Sequence, residues 1–155
     1  MGKNFFEVNN VDFSVGGKVK VRNVSFVIEK EGDIICLLGP SGIGKTTILR
    51  TIAGLEKTKS GTIELKGNIL SSEKNYVEPE KRNISLAFQE NSLFPHYTVK
   101  KNILLGAERN KEKNLQISFG EIIDLLDISL ILNKFPHEIS AGESQRASLA
   151  RSLIT

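Results

Sequence analysis

Residues 34–55 read IICLLGPSGIGKTTILRTIAGL, and the fold turns on how this stretch divides. Its first six residues are a continuous apolar run ending at Gly39, the pattern of a strand buried on both faces. From Lys45 to Leu55 the apolar residues Ile48, Ile52 and Leu55 recur at helical spacing, and Gly54 is placed to end that helix. Between strand and helix, GPSGIGKT at residues 39–46 fits the phosphate-loop pattern G-x-x-x-x-G-K-S/T. Gly42 and Gly44 lack a Cβ, so a loop running Gly39-Pro40-Ser41-Gly42-Ile43-Gly44 can wrap a phosphate closely. Its N–H groups and the positive end of the following helix then point at the anion. Lys45 supplies a mobile positive charge to the β- and γ-phosphates, the Thr46 hydroxyl a ligand for Mg²⁺, and Thr47 a contact to the α-phosphate. A glycine-rich turn that binds nothing would produce this pattern by chance in about one chain in a hundred or fewer. The strand before it and the helix after it favour nucleotide binding, without choosing between ATPase, GTPase and kinase.

Outward from the loop, residues 5–15 and 19–28 alternate between apolar and polar, as half-buried strands do, with Gly16-Gly17 as their turn. SGTIELKGN (60–68) predicts a short strand and a Lys66-Gly67-Asn68 turn, and NISLAFQ (83–89) another strand. Thr98 caps a helix through Leu105 that Gly106 stops. The polar stretch 107–114 is a solvated connection. FGEIIDLLDISLIL (119–132) carries Phe119, Ile122, Ile123, Leu126 and Leu130 at helical spacing, its carboxylates forming a solvated face. ISAGESQRASLARSLIT (139–155) is a last amphipathic helix burying Ala147, Leu149, Ala150 and Leu153, and Ser140-x-x-Glu143 is a capping box at its start. The expected class is α/β: a P-loop core with an incomplete sheet, an N-terminal antiparallel β region and a C-terminal helical subdomain. Residues 1–90 make the nucleotide-binding part and 91–155 the helical part of one domain, 1–155.

Composition excludes little. The chain has 155 residues, 39% hydrophobic and 25% charged, with a net charge of +3, so its mixed, weakly basic surface does not argue for nucleic acid. Cys36 is the only cysteine; it forms no intrachain disulfide and reads as a small buried hydrophobe. The start, MGKNFFEVNN, lacks an apolar signal region, and the run from Ile34 to Leu38 is far short of the roughly 20 residues of a membrane span. Any membrane association comes through a partner. His96 and His137 read as turn or surface residues.

Three segments together carry a family resemblance. GPSGIGKTTILRTIAGLEKTKSGTIELKG, PEKRNISLAFQENSLFPHYTVKKNI and FPHEISAGESQRASLARSLIT stand in the order found in the ATP-binding subunits of ABC transporters. The chain resembles these over its whole length, and LFPHYTV resembles importers of ferric iron, molybdate or polyamines. The resemblance implies a cytoplasmic protein peripheral to the membrane. In it two such subunits stack head to tail around two ATP molecules, each held with Mg²⁺ by one P-loop and by the partner's signature segment. It further implies membrane permease subunits, a solute-binding protein acting through them, and no nucleic acid. It makes Lys45 and Gln89 catalytic, Thr46 and Gln89 ligands of Mg²⁺, and Ser140, Gly142 and Glu143 contacts to the partner's nucleotide. The resemblance would also place Phe94 and Tyr97 near the surface that receives the permease. A nucleotide-binding fragment without hydrolysis, or a soluble ABC ATPase not linked to transport, are the alternatives.

The sequence departs from that family in three places. An aromatic residue that stacks on adenine is replaced by Val15; either Val15 meets the base or Phe13 does so through a shifted turn. The signature reads Ile139-Ser140-Ala141-Gly142-Glu143 where the family has leucine-serine-glycine-glycine-glutamine, so a charge stands near a docking γ-phosphate. The family's next strand, with its metal-holding Asp, catalytic Glu and later His switch, does not follow. The expectation is therefore a chain cut before the Walker B region, with exposed apolar surface and poor hydrolysis on its own.

Overall fold

The alternation of apolar and polar residues in the first segment becomes a hairpin, β1 (Phe6–Val15) and β2 (Lys18–Ile28). The computed structural model describes residues 4–15, 18–87, 93–108 and 117–154, in two compact units, Met1–Ile84 and Ser85–Thr155. In the first unit β3 (Thr62–Leu65) pairs with the other edge of β1, and β4 (Asn68–Ser71) follows, giving an antiparallel sheet ordered β2-β1-β3-β4. Lys66 and Gly67 join β3 to β4 at φ 52° and 77°, the two positive values of a two-residue hairpin turn whose twist matches the strands. β4 went unseen in the sequence because only four residues separate this turn from the polar stretch after it.

The β1–β2 hairpin is irregular. Its register shifts between Val8 and Val11, Val11 and Phe13, and Phe13 and Ser14. Asn10 and Asn23 take φ 50° and 51°. Their N–H groups, turned out of the ladder, donate to Ser25 Oγ and Asp12 Oδ1, both at 2.9 Å. The bulges break strict alternation, so that Phe13 and its neighbour Ser14 are both buried. Helix α1 (Lys45–Ile52) lays Ile48 on this sheet, in a core with Phe6, Val8, Val11, Phe13, Ile63 and Leu70.

Two predicted strands are not in the sheet. Residues 34–39 make no strand pairing with any described residue, Ile34 and Leu38 are each 92% exposed, and Cys36 is exposed rather than buried. A strand apolar on both faces needs hydrogen-bonded neighbours to bury it, and the sequence pattern specifies the faces but not the neighbours. Leu37 packs against the core, and with Phe5, Phe26, Leu49, Ile52 and the half-exposed Ile35 it lines an apolar recess of about 530 Å³. Residues 83–87 likewise lie outside any strand, and Leu55 is exposed because the chain turns away at Gly54, φ 87°.

That turn is held by a buried guanidinium. Arg82 donates from Nε to Val77 O at 2.7 Å, and from Nη1 to Thr51 O at 3.1 Å and Ile52 O at 3.0 Å. The Tyr76 hydroxyl donates to Gly54 O. Together they cover the carbonyls that the C-terminus of α1 leaves without helical partners. A cation at this end also suits the helix dipole.

The second unit packs α2 (Val99–Glu108), α3 (Phe119–Leu125) and α4 (Ala141–Leu153) around Val99, Ile103, Ile122, Ile128, Ala147 and Ala150. Helix α2 continues past Gly106 to Glu108. Helix α3 is shorter than predicted: Ser118 and Glu121 cap its start reciprocally, but Asp127 at φ 48° reverses the chain, and Leu130 ends up exposed. On α4 the core side is Ser144, Ala147, Ser148 and Ala150, whose small side chains allow close approach of α2, while Leu149 and Leu153 are exposed. The architecture is thus α/β, with an antiparallel N-terminal sheet, one helix leading from the phosphate loop, and a helical C-terminal part.

Candidate functional site

The glycines give the loop its course. Gly42 and Gly44 take φ 80° and 114°, conformations strained for any residue with a Cβ. Gly44 stands at the start of α1 and offers no side chain to cap it. The helix begins with Ile48 N donating to Gly44 O at 3.0 Å, so the N–H groups of Lys45, Thr46 and Thr47 have no partner within the helix. No acidic residue lies in the first turn. This is a donor-only helix start at the positive end of the dipole, the requirement for a bound phosphate.

Lys45 completes it. Its Nζ folds back to donate to Gly39 O at 2.6 Å and Pro40 O at 2.8 Å. The ammonium thus spans the loop, fixing its curl and holding a positive charge beside the free N–H groups. Ile43 N closes the loop from within through Pro40 O at 3.4 Å. A methyl group at Gly39 would lie 3.3 Å from Ile43 Cγ2, so the curl leaves little room there for a larger residue. Ser41 and Thr46 are exposed. Thr47 is nearly buried, its carbonyl accepting the Thr51 hydroxyl at 2.8 Å, which leaves little of its side chain for an α-phosphate.

The donor set fits a triphosphate. Among the described residues no cluster of three or more His, Cys, Asp or Glu could hold a metal ion. A Mg²⁺ here would take the Thr46 hydroxyl and find its remaining ligands on the phosphates and on water. Gln89, the other predicted ligand, lies outside the described residues. Val15 ends β1 opposite Lys18; its side chain is not described. Phe13 is fully buried, which removes it as a stacking surface for a base.

The predicted signature residues sit together in the second unit. Ser140 caps α4: its Oγ accepts from Glu143 N at 3.3 Å, while Glu143 Oε2 accepts from Ser140 N at 2.7 Å and Ser140 Oγ at 2.8 Å. These bonds hold the Glu143 carboxyl below its ordinary pKa, with smaller help from Lys134 and Arg146. The helix start therefore carries its own anion. Gly142 is open, the nearest atom to a Cβ built there being Arg146 Nη1 at 3.9 Å, and Ala141 is exposed. The sequence reading assigned no role to Arg82, one of several charged residues in EPEKRN, nor to Asn102. The latter is buried in α2, accepts from Phe94 N at 2.7 Å, and donates from Nδ2 to the carbonyls of Phe94, Tyr97 and Thr98, each at 3.1 Å.

A family model described as ABC transporter matches residues 21–155. The sn-glycerol-3-phosphate import ATP-binding protein UgpC of Brucella abortus is 36% identical over 150 residues, 95% of this chain and 41% of that protein. The Fe(3+) ions import ATP-binding protein FbpC of Fusobacterium nucleatum is 36% identical over 152 residues, 96% of this chain and 39% of that one. The putrescine transport ATP-binding protein PotG of Escherichia coli is 40% identical over 149 residues, 95% and 38% respectively. The chain spans about two fifths of the length of these relatives. A solved structure described as the ATP binding subunit of an ABC transporter superposes at a TM-score of 0.80 with 21% identity, over 97% of this chain and 62% of that one. cbiO1 from Clostridium perfringens, part of the ABC transporter complex cbiONQ, does so at 0.75 with 20% identity, over 97% and 61%. Both show a shared fold.

Proposed function

The chain belongs to the ABC transporter family, and from that premise we propose that it is the nucleotide-binding portion of an importer's ATP-binding subunit. In this reading residues 39–47 hold the triphosphate of ATP. The N–H groups at the start of α1 and the Lys45 ammonium neutralise the phosphate charge, and Thr46, with Gln89, holds Mg²⁺. When bound, the metal supplies further charge neutralisation on the phosphates; what the chain contributes is orientation and a fixed positive field. The start of α4, with Ser140, Gly142 and Glu143, faces nucleotide on a second subunit placed head to tail. The assembly docks on membrane permease subunits at the cytoplasmic face, where a solute-binding protein acts indirectly, and ATP hydrolysis by the assembly is coupled to uptake. No described helix is long and apolar enough to cross a membrane. The relatives are importers or transporters of sn-glycerol-3-phosphate, ferric iron and putrescine by name, and the proposal for this chain is that of a solute importer.

The observation that carries this reading is the uncapped start of α1 with the Lys45 ammonium folded across it. Calorimetric titration with ATP and Mg²⁺ tests it. The chain is expected to bind, and Lys45→Ala to weaken binding about tenfold or more, as loss of a charge-assisted contact implies. Equal affinity in the variant would overturn the assignment.

A further inference from the structure

We infer that Arg82 is a positioning residue of the phosphate site: seated on the last carbonyls of α1, it fixes where that helix's first N–H groups and Lys45 stand, and it links anion binding at one end of the helix to the docking of residues 76–82 at the other. The inference rests on the nucleotide-binding reading above and deepens it. It begins with how little else holds α1. The helix has eight residues, and its buried ones are Thr47, Ile48 and Thr51. One aliphatic side chain, Ile48, with the half-buried Ile52 beside it, therefore seats the helix on the sheet. A helix this short has little stability of its own. It is also a lever: over a length of roughly 12 Å, a tilt of about 10° at the far end displaces the first N–H groups by about 2 Å, enough to lose a hydrogen bond.

The far end is held by a continuous chain of bonds to the sheet. Ser71 of β4 bridges to Tyr76, and Val77 N donates to Leu70 O at 2.9 Å. Val77 O in turn accepts from Arg82 Nε, while Arg82 Nη1 reaches Thr51 O and Ile52 O on the helix. Tyr76 adds two contacts, its ring 5.0 Å from the guanidinium carbon and its hydroxyl donating to Gly54 O. The fit is close, since a Cβ on Gly54 would lie 2.5 Å from Arg82 Nε. The planar fork of arginine serves carbonyls of two segments at once, which the single ammonium of lysine on its flexible stem does not. The sheet thus sets the position of the helix C-terminus through residues 76, 77 and 82, and the short helix carries that position to Lys45. Coupling of this kind is reciprocal: an anion that fixes the helix start also favours the docked state of residues 76–82.

The test uses the full chain and three variants, Arg82→Met, Arg82→Lys and Tyr76→Phe, each checked for its fold by far-UV circular dichroism. The backbone amide resonances of Lys45, Thr46 and Thr47 are read without ligand, and ATP affinity with Mg²⁺ by calorimetry. Both Arg82 variants are expected to shift those three resonances and to weaken ATP about fivefold or more while folded, with Arg82→Lys failing to rescue although it keeps the charge. A merely stabilising Arg82 would lower the urea midpoint and leave resonances and affinity as in wild type, which overturns the inference; so does full rescue by lysine. Tyr76→Phe removes one hydroxyl and decides the matter if the Arg82 variants do not fold: it is expected to move the same resonances by less, and unmoved resonances overturn the inference. In wild type, ATP should also slow hydrogen exchange at Val77 N. Failure of wild type to bind ATP overturns the nucleotide-site reading instead, and the ligand-free resonances still judge the positioning role.

Discussion

Replacing Arg82 by Met tests what holds the helix of the phosphate loop in place. The guanidinium is 1% exposed and makes three hydrogen bonds, to Val77 O, Thr51 O and Ile52 O. A bond from a charged donor contributes about 1.5–3 kcal/mol, which taken alone suggests a loss well above 5 kcal/mol. Two terms oppose it. Burial penalises the charge, as the downward shift of the Arg82 pKa indicates. Nη2, also buried, has no hydrogen-bond partner among the described residues, an unmet cost of about 1–3 kcal/mol that Met removes. The expected net loss is therefore about 2–4 kcal/mol, a fall of about 1–2 M in the urea midpoint at ordinary slopes. Circular dichroism across a urea series measures it, and a shift under about 0.3 M would refute the reasoning. Gly54 provides an independent check. It holds φ 87°, and a Cβ there would lie 2.5 Å from Arg82 Nε. Gly54→Ala thus suffers both left-handed strain of about 1–2 kcal/mol and a collision that Arg82→Met relieves. The two substitutions together are expected to cost less than their sum by more than the roughly 0.5 kcal/mol seen for independent sites; additivity would place the guanidinium elsewhere.

Glu121 and Glu143 are both held below the ordinary carboxylate pKa, first by backbone and then by hydroxyl hydrogen bonds from Ser118 and Ser140. Their stabilising contribution is present above the unfolded value near pH 4.3 and is lost as pH falls through the lowered folded value, so the double variant Glu121→Gln, Glu143→Gln should flatten the acid limb of the unfolding midpoint against pH. If wild type and variant show parallel limbs, the two capping boxes do not bind protons as described. In a head-to-tail dimer, Glu143→Gln removes a negative charge facing phosphate and should tighten nucleotide-dependent association by sedimentation; an unchanged association constant would remove that electrostatic role. Asn102→Ala deprives Phe94 N and three carbonyls of their partner, and a loss of about 2–4 kcal/mol in urea unfolding is expected; a loss under about 1 kcal/mol would mean that the turn at 94–98 is held by other contacts. Cys36, exposed in an unpaired segment, should react with a thiol reagent in native buffer about as fast as in denaturant, and strong native protection would show that segment 34–39 to be covered.

The phosphate-loop pattern is legible in the sequence because it is local: the glycines, Lys45 and Thr46 lie within eight residues. The capping box at Ser140 was legible for the same reason, its two partners being three residues apart. What periodicity could not supply was any term depending on a distant partner. The run 34–38 reads as a buried strand because both its faces are apolar, yet burial depends on paired strands on either side, and no described residue pairs with it. Phe13 falls on the position where alternation would turn it outward or inward according to register, and three register shifts decided it, fixed by Asn10 and Asn23 bonding across the hairpin to Ser25 and Asp12. Asp127 ended α3 by adopting a positive φ that the apolar spacing of Ile122, Ile123 and Leu126 does not encode. Arg82 is the sharpest case. Its partners are Thr51 and Ile52, about 30 residues upstream, so no short window links the charge to the helix it closes. That separation also gives it a consequence for the site. The helix whose first three N–H groups lack helical partners is clamped at its far end by Arg82, so if the proposed phosphate site is correct, loosening Arg82 should weaken nucleotide binding without altering any proposed phosphate ligand.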